Sequence, residues 1–454
     1  MSEREFDVVV VGAGSSGEVC AGRMADGGLK VAIVEGHLVG GECSYYACMP
    51  SKALLRPGQA LAEVRRVPGA AEAVTGELDP EVALERRDEV IRYRDDSRQL
   101  PWLEEKGIEL FRGEGRLEGE RRVWAGDELL GARKAVVIAT GSVAAVPEIE
   151  GLAEARPWTN REGTTSSEVP GRLLVLGGGA VGVELAQAWA SLGSSVALVE
   201  SEPRVLPGME EFASAEVADG LRESGVDIRT GVRAEAVSGE KVVHVSLSDG
   251  GALEGDVALV AIGRRARTED IGLESVGVEA GGYLEVDDQM RVGGREWLYA
   301  VGDVNGRALL THMGKYQARI CADHVLGEDV AATEDRAGSP QVVFTEPQVA
   351  AVGHTLAAAR DAGIPARAVD APTSGSAGAS FYGRNAPGTS RIVVDEERDV
   401  IVGATFVGPD VAEWLHAATV AVVAQVPMER LWHSVAAYPT RSEVWLKLLE
   451  DYGL

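Results

Sequence analysis

The chain has 454 residues, 45% hydrophobic and 25% charged, which is too long for a single core and ordinary for a globular protein. Its formal net charge of −27 at pH 7 argues against nucleic acid and anionic membrane surfaces as partners. Four cysteines (Cys20, Cys43, Cys48 and Cys321) are too few for a disulfide scaffold, and with no Cys/His cluster the expected metal content is none.

The first residues lead straight into a strand, and no apolar run of about 20 residues could span a bilayer. A cytoplasmic, reducing location is therefore expected, where a cysteine pair is more often catalytic than structural. Residues 6–11 (FDVVVV) are a β-branched run of the kind buried on both faces of a parallel sheet. Gly12, Gly14 and Gly17 form a GxGxxG turn that opens a helix to about residue 25. A second strand follows at 30–34, with Glu35 eighteen residues past the last glycine. Such a strand–turn–helix–strand unit lets backbone approach a pyrophosphate, and its terminal acid accepts from a ribose hydroxyl.

Residues 40–52 (GGECSYYACMPSK) place Cys43 and Cys48 five apart, with Lys52 four beyond Cys48. On an unbroken helix the two thiols diverge, whereas a disulfide needs Cα atoms within roughly 4.4–6.8 Å, so pairing requires a distorted helix between them. The alternative is two buried free thiols. Cys48 and Lys52 share one helical face, and an ammonium or a helix N-terminus favours thiolate.

The charged stretch 58–106 reads as solvated helix faces. A buried strand at 135–139 ends at Thr140 and Gly141, and 147–170 reads as a connector between domains. At 173–200 the opening pattern returns: strand, Gly177, Gly179 and Gly182, a helix carrying Glu184, a second strand, and Glu200 eighteen residues past the last glycine. Two dinucleotide fingerprints in one chain are far more informative than one. A carboxylate at 200 accepts from a free 2′-hydroxyl and repels a 2′-phosphate, favouring NADH, although nearby Arg204 leaves NADPH open. Strands are expected at 256–264 and at 298–303, the latter ending at Asp303, then a helix from Thr311 to about residue 326 and a linker at 330–340. Strands near 341–353 and 389–407 and helices near 411–425 and 440–451 indicate a closing α+β domain. Its Trp414, Trp432 and Trp445 are expected in a core or an interface.

The Cys43-x4-Cys48 segment, both fingerprints, Thr140-Gly141, Gly302-Asp303, Phe344-Thr345-Glu346-Pro347 and the tail Pro439-Thr440-x-x-Glu443 together resemble the pyridine nucleotide–disulfide oxidoreductases over essentially the whole chain. The resemblance implies an α/β protein with two Rossmann-like domains and a C-terminal α+β dimerisation domain. The FAD domain would comprise 1–148 and 264–330, the NAD(P) domain 149–263 and the dimerisation domain 336–454. It implies FAD on Gly12, Gly14, Gly17 and Glu35, with Thr140, Gly141, Asp303 and Thr311 along the same cofactor, and NAD(H) on Gly177, Gly179, Gly182 and Glu200. It further implies that Lys52 lies near the flavin and pairs with Glu184. Cys48 would face the flavin, Cys43 would exchange with a small-molecule acceptor, and a homodimer would lend each tail to the other's site.

One departure stands out. Where the family carries a histidine before the tail Pro-Thr, this chain has Tyr438, with Glu443 in place. A phenol ionises near pH 10 and an imidazole near 6.5, so tyrosine is a poor base at neutrality. Mercuric reductases resemble this chain at that position, but no cysteine follows Cys321 here. Reduction of a small disulfide or related sulfur electrophile is thus the leading expectation. The alternatives are a mercuric or metal-ion reductase relative, a quinone-reducing diaphorase, and a catalytically idle flavin-binding protein. Tyr45 and Tyr46, between the cysteines, are expected to narrow access to Cys43.

Overall fold

A computed structural model describes residues 3–239, 241–335, 338–383, 386 and 388–454. The chain divides into two compact units: Met1–Pro50, Asp88–Ala145 and Arg264–Arg336 form one, and Ser51–Arg87, Val146–Gly263 and Ala337–Leu454 form the other.

In the first unit, strand β1 (Arg4–Val11), helix α1 (Ser15–Asp26) and strand β2 (Val31–Glu35) make the expected parallel unit, with Val8 opposite Val31 and Val11 opposite Val34. β1 also pairs in parallel with Glu128–Ile138, which pairs in parallel with Leu298–Ala300. Val8 to Val11 are buried because both sheet faces are covered. On one face Val8 and Val10 pack with Cys20 and Met24 of α1 and with Ala318 and Cys321 of the helix Thr311–Leu326. On the other, Phe6 and Val9 pack with Leu284, Trp297 and Leu298. Arg23 and Asp323 tie the two helices together. With Glu109–Arg112 parallel to β2, antiparallel strands Gly115–Leu117 and Arg122–Ala125 bring the sheet to seven, an addition whose short, charged segments carry little period-2 signal.

Helix α2 (Gly41–Tyr45) follows β2, and helix α3 (Cys48–Arg66) follows it, with Pro57 inside and its residues from Ser51 onward belonging to the second unit. The second unit contains a four-stranded parallel sheet in the order Asp227–Thr230, Ser195–Glu200, Arg172–Leu176, Val257–Val260. The helix Ala180–Ser191 buries Val183, Leu185 and Trp189 in a core shared with Leu54 and Leu55 of α3. A three-stranded antiparallel sheet (Ala234–Ser238, Val243–Leu247, Ala252–Gly255) is a further element that the sequence reading did not resolve.

The C-terminal part is a five-stranded antiparallel sheet ordered Gln341–Val343, Gln348–Gly353, Val400–Gly408, Thr389–Asp395, Ala366–Pro372. The helices Leu415–Val423 and Val444–Tyr452 cover it, and Phe406 meets the rings of both Trp414 and Trp445. Trp432 is exposed instead. The linker expected at 330–340 falls partly outside the described residues, at Arg336 and Ala337. The charged stretch 58–106 also needs correction. Arg87 is fully buried, because its guanidinium donates to the backbone carbonyls of Thr164 and Ser166 and so satisfies groups that an apolar side chain would leave bare.

Candidate active site

The two fingerprints share one internal construction. A Cβ on Gly12 would stand 2.4 Å from Ala139 O, and one on Gly177 would stand 2.4 Å from Ala261 O. A Cβ on Gly17 would meet Gly12 O at 2.0 Å, and one on Gly182 would meet Gly177 O at 1.9 Å. These four glycines are demanded by the fold. The middle ones are not: a Cβ on Gly179 would meet nothing within 4 Å, and one on Gly14 would come no closer than 3.9 Å, to Gly41 Cα. Both helices begin at those middle glycines without a side-chain cap, leaving their first N–H groups directed at open space. Two cradles floored by glycine at uncapped helix N-termini fit two pyrophosphates.

The paired acids are also matched. Glu35 accepts from Ala13 N–H at 2.7 Å and from His37 N–H at 2.8 Å. Glu200 accepts from Gly178 N–H at 2.5 Å and from Glu202 N–H at 2.8 Å. Each carboxylate therefore clasps its own glycine turn. Arg204 donates to the carbonyls of Pro207 and Met209, so its charge is engaged locally.

The distortion expected between the cysteines takes the form of a break. Cys43 lies in α2, Tyr46 ends that helix, and Cys48 is the first residue of α3. Both are partly buried thiols outside any disulfide. They hydrogen-bond to each other, and that bond together with burial pushes the Cys43 thiol up, while Thr311 and the Lys315 ammonium oppose the shift. The Cys48 sulfur is 3.4 Å from Thr311 Oγ1, at the start of the helix Thr311–Leu326. Tyr45 does not narrow the approach to Cys43: it is buried and donates to Val39 O, while the Tyr46 ring stacks on His37.

Lys52, one turn beyond Cys48 on α3, donates to Glu184 Oε2 at 2.6 Å. The other Glu184 oxygen accepts from Phe344 N–H at 2.8 Å, and the Lys52 ammonium sits 4.9 Å from the Phe344 ring centroid. Asp303 accepts from Ser142 Oγ at 2.5 Å, and Arg264 donates to that same hydroxyl at 2.6 Å. Thr140 donates to Arg267 O, and Gly141 holds a φ of +74° that suits glycine. In the tail, Tyr438 is 78% exposed. Glu443 accepts from Thr440 N–H at 3.2 Å and Gly378 N–H at 3.0 Å, so it caps the tail turn and holds it to a neighbouring segment.

Sequence reasoning gave no site role to Ser142, Arg264, Phe344 (named only as part of a motif) or Lys315. The first three act through contacts distant in sequence, which no local pattern encodes; Lys315, one turn past Thr311, could have been found from helical spacing. Among the described residues no group of His, Cys, Asp and Glu could hold a metal ion.

Residues 6–318 match the family model described as pyridine nucleotide-disulphide oxidoreductase, and residues 339–449 match its dimerisation domain. The dihydrolipoyl dehydrogenase of Thermus scotoductus is 34% identical over 462 residues, covering 98% of this chain and 97% of the relative. A mercuric reductase of Staphylococcus aureus is 30% identical, covering 97% of this chain and 81% of the relative. Among solved structures, the Cu(II) complex of the HOCl-induced flavoprotein disulfide reductase RclA from Escherichia coli superposes with a TM-score of 0.87 at 27% identity, covering 99% of both chains. LpdA from Mycobacterium tuberculosis superposes with a TM-score of 0.85 at 26% identity, covering 99% of this chain and 100% of that one. Members of this family use FAD and NAD(P)H. A cysteine pair across a helix break, two matched fingerprints and these whole-chain similarities place the chain in the pyridine nucleotide–disulphide oxidoreductase family, as a flavoprotein disulfide oxidoreductase.

Proposed function

We propose that the protein reduces a small disulfide, or a related sulfur electrophile, at the expense of NADH, through Cys43 and Cys48. The observation that carries this reading is the break between α2 and α3, which brings two cysteines five apart into hydrogen-bonding contact at the start of a helix. FAD, when bound, supplies the means of carrying an electron pair from nicotinamide to this sulfur pair. Gly12, Gly14, Gly17 and Glu35 would hold its adenosine end, with Thr140, Gly141, Asp303 and Thr311 further along. Gly177, Gly179, Gly182 and Glu200 would hold the nicotinamide nucleotide, NADH being favoured because Arg204 is bound to carbonyls. In domain terms, 1–148 with 264–330, 149–263 and 336–454 would serve FAD, NAD(P) and dimerisation, in a cytoplasmic enzyme.

The chain's own sulfurs then act in a balanced exchange. Cys43 thiolate attacks one sulfur of the acceptor disulfide, forming a mixed disulfide and releasing one thiol, which takes a proton. Cys48 thiolate attacks the Cys43 sulfur, releasing the second thiol and forming the Cys43–Cys48 disulfide. Net, NADH, one proton and a disulfide give NAD⁺ and two thiols. Lys52, held by Glu184, places a cation one turn from Cys48. Tyr438 and Glu443 would act from the partner of a homodimer, Tyr438 donating a hydrogen bond to the departing thiol.

The test is a panel of disulfide acceptors assayed with NADH and NADPH, on the native chain and on Cys43→Ser and Cys48→Ser. Disulfide reduction should fall by orders of magnitude in both variants. Cys43→Ser should show long-wavelength absorbance while its flavin is oxidised, from Cys48 thiolate against flavin, and Cys48→Ser should lack it in every redox state. Disulfide reduction that survives loss of Cys43 would overturn the assignment.

A further inference from the structure

The first turn of the helix Thr311–Leu326 meets the first turn of α1 at a point where one chain has no room for a side chain. A Cβ on Gly314 would lie 2.3 Å from Ser16 Oγ and 3.0 Å from Gly302 Cα. Lys315 is the residue after Gly314 and Glu18 lies two past Ser16, and the Lys315 charge acts on Glu18. Burial pushes the Glu18 carboxyl up to about 7, the Lys315 ammonium opposes that shift, and Glu35 of β2 adds to it. Tyr45 of α2 also feels the Glu18 charge, after its own burial and Asp96. Lys315 lies one helical turn beyond Thr311 and on the same face, and Thr311 touches Cys48. Cys48, Thr311 and the Lys315 ammonium all act on Cys43, and Lys315 and Thr311 both favour its thiolate.

We propose that Lys315 is the cation that stabilises Cys43 as an attacking thiolate, and that Glu18 is the counter-charge that moderates it. The proposal rests on reading Cys43 as the exchanging thiol, at a site where Tyr438 replaces an imidazole. With Glu18 protonated, Lys315 acts on Cys43 unopposed; once Glu18 ionises, part of that help is cancelled. Lys315 is thus a positioning residue for charge, acting on the sulfur from the helix Thr311–Leu326 rather than from the tail.

The experiment follows alkylation of Cys43 by iodoacetamide in the reduced Cys48→Ser protein, read by peptide mass spectrometry between about pH 6 and 10. It needs neither NADH nor an acceptor, so it is independent of the disulfide reductase assay, whose failure would count against the function instead. Lys315→Met should raise the midpoint of the rate profile by about one pH unit, and Lys315→Arg should restore it. Glu18→Gln should lower the midpoint. Lys315→Gln serves as the second neutral variant where Lys315→Met does not fold. A midpoint unmoved by neutralising Lys315, or raised by Glu18→Gln, would overturn the proposal.

Discussion

Glu184 occupies the middle of a short chain of contacts: Lys52 on one oxygen, Phe344 N–H on the other, with its own side chain 6% exposed. Truncation to alanine leaves a buried backbone donor and an ammonium without their shared acceptor. Such orphaning costs about 1–3 kcal/mol, with the lower end expected because water can reach the partly exposed Lys52. Urea unfolding of Glu184→Ala should show this loss with an unchanged slope, and Glu184→Gln, which keeps an acceptor for Phe344 N–H, should lose less. Equal losses in both variants would mean that the backbone contact contributes nothing. At this scale the sequence was informative about Lys52 and Glu184, because each stands at a fixed distance from a recognisable motif. It marked Phe344 as part of a motif but was silent about its amide reaching Glu184 from 160 positions away.

The tail is an element held from outside itself. A Cβ on Gly378 would lie 2.1 Å from the carbonyl carbon of Thr440 and 2.4 Å from its oxygen, and Gly378 N–H donates to Glu443. The turn that follows Tyr438 is therefore seated on backbone, which cannot rotate away as a flexible side chain could. Gly378→Ala should destabilise the protein by about 1–3 kcal/mol, as overpacking generally does. Its effect on turnover should exceed its effect on NADH-to-dye electron transfer, which needs no tail. Melting temperature together with the two activities checks this; equal loss of both activities would show that the tail plays no separate part. The fingerprints behave differently as elements. Their outer glycines are required by contacts inside the same strand–turn–helix unit, so they announce themselves locally, and Glu35 and Glu200 repeat the same offset for the same reason: each clasps its own turn.

At the level of the whole molecule, the helices and loops of the C-terminal part leave large apolar and aromatic side chains exposed. Val435 is 89% exposed, Tyr438 78%, Phe381 68% and Val420 50%. Exposed apolar side chains are the material of an interface, and residues 339–449 match a dimerisation domain. A homodimer is therefore expected by sedimentation velocity at micromolar concentration, and Val435→Glu should shift it toward monomer while disulfide reduction falls with it. A native chain that sediments as a monomer would refute both the interface and the shared site. No helix among the described residues is long and apolar enough to cross a membrane.

The chain's order of residues alone determined the two nucleotide units, the cysteine pair and the departure at Tyr438. Each of these is written in spacing: glycines that backbone geometry demands, β-branched runs that fit a sheet covered on both faces, and a thiol pair too close in sequence for an unbroken helix. Only the tertiary structure decided where that helix breaks, that Arg87 is buried among carbonyls, that Tyr45 turns inward, and that Gly314 meets Ser16. Such outcomes depend on which segments meet, and the contact of Gly314 with Ser16 or of Arg87 with Thr164 leaves no periodic mark in either segment.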